Sequence, residues 1–147
     1  MDHTEKAAAY FLNGFNCAQS VLAAFAPELD IDEELALKLT SNFGGGARCG
    51  QLCGAVSGAL MVLGMKYGFS RSEDREQIKK AYDISVEFQK RFCERNKSVV
   101  CKELLGYDIS IPEQKNAAKE KGLLKEVCPR MVSSAIEIIE QLISEQQ

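Results

Sequence analysis

Several residue types are scarce in this chain of 147 residues, and each scarcity limits the folds or the kinds of site that the protein can form. Tryptophan is absent, proline occurs three times, and the only histidine is His3. Few prolines beside many Ala, Leu, Glu and Lys residues favour helix over sheet. Because His3 lies at a terminus that is prone to fraying, the chain cannot build a histidine-based catalytic triad or a histidine-rich zinc site unless His3 folds back.

Basic charge and long apolar runs are also lacking. Lys and Arg number 18 against 21 Asp and Glu, the net charge is −3, and no basic stretch indicates nucleic-acid binding. The longest uncharged stretch, Cys49 to Met65, falls short of the roughly 18–20 residues of a membrane span, so a buried core helix is the better interpretation. The start has no basic region before an apolar run, as a secretory signal has. We therefore expect a cytoplasmic protein without a membrane span.

Helix start and stop signals recur along the chain, and no stretch shows the alternation of a strand. We expect one all-α domain over residues 1–147, a bundle of about six to eight helices. Three helices are predicted before the glycines: about Thr4–Leu12, a helix from Cys17 through Phe25 capped by Asn16, and a helix that carries Leu35, Leu39 and Phe43 after a capping box at Asp30 and Glu33. Two longer helices follow, about Gly50–Tyr67 and Ser72–Arg95. The last three are a short helix with Cys101, Leu104 and Leu105 after Ser98, a helix begun by Pro112, and a helix opened by Cys128-Pro129.

Two of these segments are expected to form much of the core. Gly50–Tyr67 is hydrophobic nearly all round, which is typical of a buried central helix. In Ser72–Arg95 the apolar residues recur every three or four positions, which predicts an inner face formed by Ile78, Tyr82, Ser85, Phe88 and Phe92.

The cysteines are the informative part of the composition. Six are too few for a disulfide scaffold, and reduced thiols of a cytoplasm are metal ligands, redox groups or buried filler. Four of them lie at or near predicted helix starts: Cys17, Cys53, Cys101 and Cys128. The positive end of a helix favours a thiolate, the form that both a nucleophile and a soft metal require. The alternative is that each is a small buried residue.

The segment from Gly44 to Gly58 is the sharpest local signal. Cys49 and Cys53 are four apart, so a helix that covered both would place them on one face, as two ligands of one metal. Gly54 and Gly58, with the alanines that follow them, give the next helix a small-residue surface that a second backbone or a cofactor can approach closely. Tight helix packing alone is an equal alternative. No Gly-Lys-Ser/Thr follows the three glycines, which excludes a Walker site.

Taken in order, five stretches resemble the C-GCAxxG-C-C family. They are Phe15-Asn16-Cys17-Ala18-Gln19-Ser20-Val21, Gly44-Gly45-Gly46, Cys53-Gly54-Ala55-Val56-Ser57-Gly58-Ala59, Cys101-Lys102-Glu103-Leu104-Leu105-Gly106, and Cys128 with its closing helix. The resemblance covers nearly the whole chain. It implies a redox-active protein of bacterial or archaeal type whose defining cysteines are Cys17, Cys53, Cys101 and Cys128. It also implies an iron–sulfur cluster or another metal, and an oxidoreductase or electron-transfer partner.

Three functions remain open on these residues. The first is an iron–sulfur or other soft-metal site held by the four cysteines, with Cys49 as a further candidate ligand and Gly54 and Gly58 beside the cofactor. The second is a metal-free thiol–disulfide protein in which Cys53 is the reactive thiolate, with Cys17 as the other catalytic candidate. The third is a structural or interaction module with zinc-bound or buried thiols.

Two further expectations follow. We expect Cys49 to matter less than Cys53, and Cys93 to be incidental. If the four cysteines act together, at least three of their sulfur atoms should lie within roughly 8 Å of a common centre, since joint ligation or exchange requires close approach.

Overall fold

The structure is a computed structural model that describes residues 1–147, and it contains helices but no strand. The eight α-helices are α1 (His3–Leu12), α2 (Cys17–Phe25), α3 (Glu33–Leu39), α4 (Gly54–Tyr67), α5 (Arg75–Asn96), α6 (Cys101–Leu105), α7 (Pro112–Glu120) and α8 (Leu123–Gln146). A five-residue turn covers Gly46–Gly50; we call it the π-helical turn for its wide hydrogen-bonded loop, although Ala47 and Arg48 have left-handed backbone angles and kink it. The all-α class is confirmed, and with the π-helical turn counted the nine helical elements exceed the predicted six to eight.

Side-chain caps set the starts of the first three helices. Asn16 accepts a hydrogen bond from the backbone N–H of Gln19, and the Gln19 side chain accepts one from the N–H of Asn16, which fixes Cys17 as the first residue of α2, as predicted. Asp2 caps α1 in the same way. Asp32, and not the predicted Asp30, caps α3.

The predicted apolar side of α3 is not buried. Leu35, Leu39 and Phe43 are all exposed, and Ala36 is the buried residue of the helix. The capping residue explains part of this difference, because a start at Glu33 leaves a helix of seven residues that ends before Phe43.

Helix α4 occupies the middle of the bundle and packs against α2, α5 and α8. Its buried residues are Gly54, Ala55, Val56, Ser57, Gly58, Ala59, Val62 and Leu63. The last turn reaches the surface, where Met65 is 51% exposed. The prediction of a buried central helix therefore holds for most of α4 but not for its end, and the helix begins at Gly54 and not at Gly50.

Helix α5 turns a narrower face to the core than predicted. It begins at Arg75, where the side chain of Asp74 caps it. Its buried residues are Ile84, Phe88 and Phe92, spaced four apart, and Tyr82 is 60% exposed. Placing Tyr82 on the inner face was wrong, because the stripe that reaches the core runs through Ile84.

Helix α8 begins at Leu123, so the prediction that Cys128-Pro129 opens it was wrong. Pro129 lies inside the helix, where the missing N–H costs about 3 kcal/mol. Val127 is buried and Leu124 is half-buried, which continues the inner face of α8 toward its start and offsets this cost. Gly122, in the left-handed conformation at φ 71°, precedes the first residue.

None of the helices combines the length and the apolar character that a membrane span needs.

Candidate functional site

Four cysteines from four parts of the chain line one cavity of about 300 Å³, which we call the four-cysteine cavity. Cys17 is the first residue of α2, Cys53 immediately precedes α4, Cys101 is the first residue of α6, and Cys128 lies in the second turn of α8. Most of the remaining wall is apolar, with Phe11, Phe15, Leu104, Ile109, Leu124 and Met131.

A short antiparallel backbone pairing holds the segments of Cys53 and Cys101 together. The N–H of Cys53 donates to the carbonyl of Val99 at 2.7 Å, and the N–H of Cys101 donates to the carbonyl of Gln51 at 2.6 Å. These bonds flank an isolated antiparallel bridge between Leu52 and Val100. Because side chains alternate along paired strands, both cysteines leave the bridge on the face opposite Leu52 and Val100.

The π-helical turn shapes one rim of the cavity. Gly45, Gly46, Ala47 and Arg48 all have positive φ, so the chain coils left-handedly here. A Cβ on Gly46 would collide with the backbone N of Gln51 and come within 2.9 Å of the Cβ of Cys101. Glycine at this position therefore allows the close approach of the turn to α6.

The same turn separates Cys49 from Cys53. Cys49 is exposed and does not line the four-cysteine cavity, whereas Cys53 is buried in its wall. The condition that would have put both on one helix face is not met, because Cys49 lies in the π-helical turn and α4 begins only after Cys53. Cys93, on α5, also lies away from the cavity.

Cys17 and Cys128 act on each other directly. A side-chain hydrogen bond joins them, and it lowers the pKa of Cys128 while it raises that of Cys17 well above its ordinary value. Cys17 thus holds its proton and donates it toward the sulfur of Cys128. Cys17 is buried and Cys128 is half-buried, so the thiol that ionises more readily is also the more accessible one.

At Cys53, burial raises the thiol pKa more than the helix N-terminus lowers it. The backbone N–H groups of Ala55 and Val56 favour the thiolate, but desolvation raises the pKa of Cys53 to about 11. Burial and the nearby Cys53 and Cys128 raise the pKa of Cys101 to about 12, although the charge of Arg48 acts against this. Both thiols are therefore protonated at neutral pH.

Gly54 and Gly58 pack against α2. A Cβ on Gly58 would lie 2.8 Å from the carbonyl oxygen of Ala18, and one on Gly54 would lie 3.1 Å from the backbone N of the same residue. Gly54 also lines the four-cysteine cavity, whereas Gly58 does not. This contact favours the packing interpretation for Gly58; a cofactor role for Gly54 stays a prediction.

The thiols match the donor chemistry of soft metals, but their arrangement does not. No group of three or more His, Cys, Asp or Glu side chains is placed to hold a metal ion. The side chains as arranged therefore do not fit a metal centre or a cluster.

Two basic residues of the cavity were not singled out from the sequence. Arg48 is exposed and Lys115, on α7, is half-buried, and both line the four-cysteine cavity. The position of Arg48 two residues after the glycines was a usable signal. Nothing in the sequence links Lys115 to the cysteines, because α7 reaches the cavity only through the tertiary fold.

Comparison with known proteins gives one match. A family model described as "Putative redox-active protein (C_GCAxxG_C_C)" matches residues 15–142, a range that includes all four cavity cysteines. No curated protein and no solved structure matches the chain.

Proposed function

The chain belongs to the C_GCAxxG_C_C family of redox-active proteins, and we propose that it performs thiol–disulfide exchange with Cys17 and Cys128 as its working pair. The observation that carries the proposal is the hydrogen-bonded contact between these two thiols in the wall of the four-cysteine cavity. An attacking thiol needs a thiolate and access to its substrate, and Cys128 has the lowered pKa and the greater exposure.

The exchange balances with a disulfide as the oxidant. The thiolate of Cys128 attacks one sulfur of the substrate disulfide, forms a mixed disulfide and releases the other sulfur as a thiolate. That thiolate takes the proton of Cys17. The Cys17 thiolate then attacks the sulfur of Cys128, which releases the second substrate sulfur to take a proton from solvent. The substrate gains two electrons and two protons, and the pair becomes a disulfide.

Cys53 and Cys101 form a second dithiol in the same cavity. Their raised pKa values make them slow nucleophiles at neutral pH, so the role of reactive thiolate, which the sequence suggested for Cys53, passes to Cys128 in this proposal. In the proposal these two thiols exchange more slowly with the Cys17–Cys128 disulfide, which returns the working pair to its reduced form and leaves Cys53 and Cys101 as a disulfide.

Turnover needs an external reductant. The dithiol form that starts the cycle is stable in a reducing compartment, which supports a cytoplasmic location for the protein. The reductant of the proposal is an oxidoreductase partner that delivers two electrons to the cavity thiols.

The alternative is an iron–sulfur or other soft-metal centre on the same four cysteines. The observation in its favour is that all four thiols line one cavity, and the observation against it is that no three ligands are grouped around a metal position. Anaerobic purification with metal and sulfide analysis separates the two. Iron with sulfide, or stoichiometric zinc, in the isolated protein would contradict the thiol–disulfide proposal.

Disulfide mapping by mass spectrometry tests the proposal directly. The reduced protein is treated with one equivalent of a small disulfide, the free thiols are blocked, and the crosslinks are identified. We expect a Cys17–Cys128 disulfide and the loss of two thiols per chain.

Serine variants supply the controls. Cys128→Ser should abolish the fast reaction, and Cys17→Ser should stop at the mixed disulfide on Cys128. Cys49→Ser and Cys93→Ser, outside the four-cysteine cavity, should react as the parent protein does. A first crosslink between other cysteines, or equal losses in all four variants, would overturn the proposal.

A further inference from the structure

The four-cysteine cavity has basic residues but no carboxylate in its wall. Its wall includes Arg48 and Lys115 but no Asp or Glu. Neither cation forms an ion pair in the structure, whereas Arg91, Arg95, Lys66 and Lys79 on the outer surface all contact carboxylates. The charge of Arg48 is close enough to the thiols to act on Cys101. The nearest acidic influence is Asp108, which lies outside the wall and binds Ser110.

The charge of these two cations is opposite in sign to the net charge of the protein. The chain has a net charge of −3, so an anion approaching at random is not attracted to it. Two cations without a carboxylate partner beside an apolar wall therefore favour an anion in this cavity.

Size and polarity restrict the anion further. About 300 Å³ is at the lower end of the volumes of small-molecule sites, which excludes a large or branched ligand. Apart from the cations and the thiols, the wall is formed mainly by leucines, phenylalanines, Ile109, Val127 and Met131. Such a wall favours a hydrocarbon chain over a polar peptide.

We propose that the cavity binds a small alkyl disulfide that carries a carboxylate, with the hydrocarbon against the apolar wall, the carboxylate at Arg48 and Lys115, and the disulfide at Cys128. This proposal rests on the thiol–disulfide function proposed above and names its substrate class. The two electrons and two protons move as in the exchange already described: the substrate becomes a dithiol acid, and Cys17 and Cys128 become a disulfide.

Lipoate and its neutral amide, lipoamide, form a matched pair of probes. They share the ring disulfide and the alkyl chain and differ only in the carboxylate. The rate of oxidation of the reduced protein is measured anaerobically with each probe and divided by the rate of the same probe with free dithiothreitol. We expect lipoate to be roughly fivefold faster than lipoamide at low ionic strength, the effect of one partly exposed ion pair, with the advantage shrinking as salt is added.

Charge variants locate the anion site. Arg48→Gln and Lys115→Gln should each reduce the lipoate-to-lipoamide ratio toward one. Lys119→Gln is the matched control, since Lys119 is an exposed lysine one turn farther along α7 that does not line the cavity, and it should keep the ratio of the parent protein. A ratio at or below one in the parent protein, or an equal loss in Lys119→Gln, overturns the substrate class.

A redox-inert probe separates failure of this inference from failure of the proposed function. Octanoate and octanamide have a similar chain without a disulfide, and calorimetry with the reduced protein should detect tighter binding of octanoate. If octanoate binds but neither lipoate nor lipoamide forms the Cys17–Cys128 disulfide, the thiol–disulfide function is wrong and the anion site stands. If both lipoate and lipoamide form the disulfide at equal normalised rates and octanoate does not bind, the function stands and the substrate class is wrong.

Discussion

Replacement of Gly58 by alanine tests whether the small-residue face of α4 is a packing surface or a cofactor surface. The added Cβ would lie 2.8 Å from the carbonyl oxygen of Ala18, 3.2 Å from the Cα of Ala18 and 3.2 Å from the Cβ of Val21. Two of these atoms belong to the backbone of α2, so no side-chain rotation relieves the contact. The two helices have to separate by some tenths of an ångström.

The magnitude follows from two opposing effects. Overpacking of a filled core costs about 1–3 kcal/mol. Alanine recovers up to about 1 kcal/mol of that, because it is a better helix former than glycine. We expect Gly58→Ala to lower the free energy of unfolding by about 0–2 kcal/mol.

Gly64 provides the matched control on the same helix. It is exposed, and a Cβ there meets nothing within 4 Å. Gly64→Ala should raise the free energy of unfolding by about 0.4–1 kcal/mol. The two variants should therefore differ by about 0.4–3 kcal/mol, at roughly 2–4 °C of melting temperature for each kcal/mol.

Urea and thermal unfolding of the reduced proteins, followed by circular dichroism, measure this difference. If Gly58 faced an absent cofactor, the protein without that cofactor would have room for the methyl group. Gly58→Ala would then be stabilised as Gly64→Ala is. A free energy of unfolding of Gly58→Ala equal to or above that of Gly64→Ala would refute the packing argument.

Two more predictions concern the thiols. Cys17→Ala should raise the pKa of Cys128 by removing its hydrogen-bond donor, whereas Cys93→Ala should leave the pKa of Cys128 unchanged. The pH dependence of iodoacetamide alkylation measures both effects, and an unchanged profile in Cys17→Ala would count against the Cys17–Cys128 pair. Burial raises the pKa values of Cys53 and Cys101 to about 11 and about 12, so their contribution to stability is complete below the unfolded value of about 8.5 and is lost as the pH rises through 9–12, at up to ~1.4 kcal/mol per pH unit for each thiol. Urea unfolding between pH 8 and pH 11 should show this slope. A variant with both cysteines replaced by alanine should show a smaller slope, since the raised pKa of Cys17 still contributes; an equal slope in that variant would contradict the assignment.

Local signals made much of the fold predictable. Asn16 and Gln19 form their capping box from residues three apart, so the start of α2 could be derived from sequence alone. The apolar character of α4 likewise required no partner to identify. Where local preference and tertiary packing disagree, packing prevails: Pro129 favours a helix start, but the burial of Val127 extends α8 upstream of it.

Two features of the site could not be predicted from any local sequence pattern. The Leu52–Val100 bridge joins segments 48 positions apart in sequence and is too short to show strand periodicity. The left-handed run of the π-helical turn includes Ala47 and Arg48, residue types that seldom adopt positive φ. Both features depend on contacts that exist only in the folded chain. Together they bring Cys53 and Cys101 to the four-cysteine cavity and leave Cys49 outside it.

The source of thiolate stabilisation is the point on which sequence reasoning and structure differ most. A helix N-terminus was expected to favour the thiolate at all four cysteines. Cys53 has such N–H groups and still has a pKa of about 11, because burial removes more solvation from its thiolate than two N–H groups restore. Cys128 lies away from the helix start and has a lowered pKa, because the hydrogen bond from Cys17 lowers the pKa more than burial raises it. In this cavity the reactive thiol is therefore determined by burial and by the neighbouring thiol, so exchanging the partner residue at Cys17 tunes the site more than moving a helix end would.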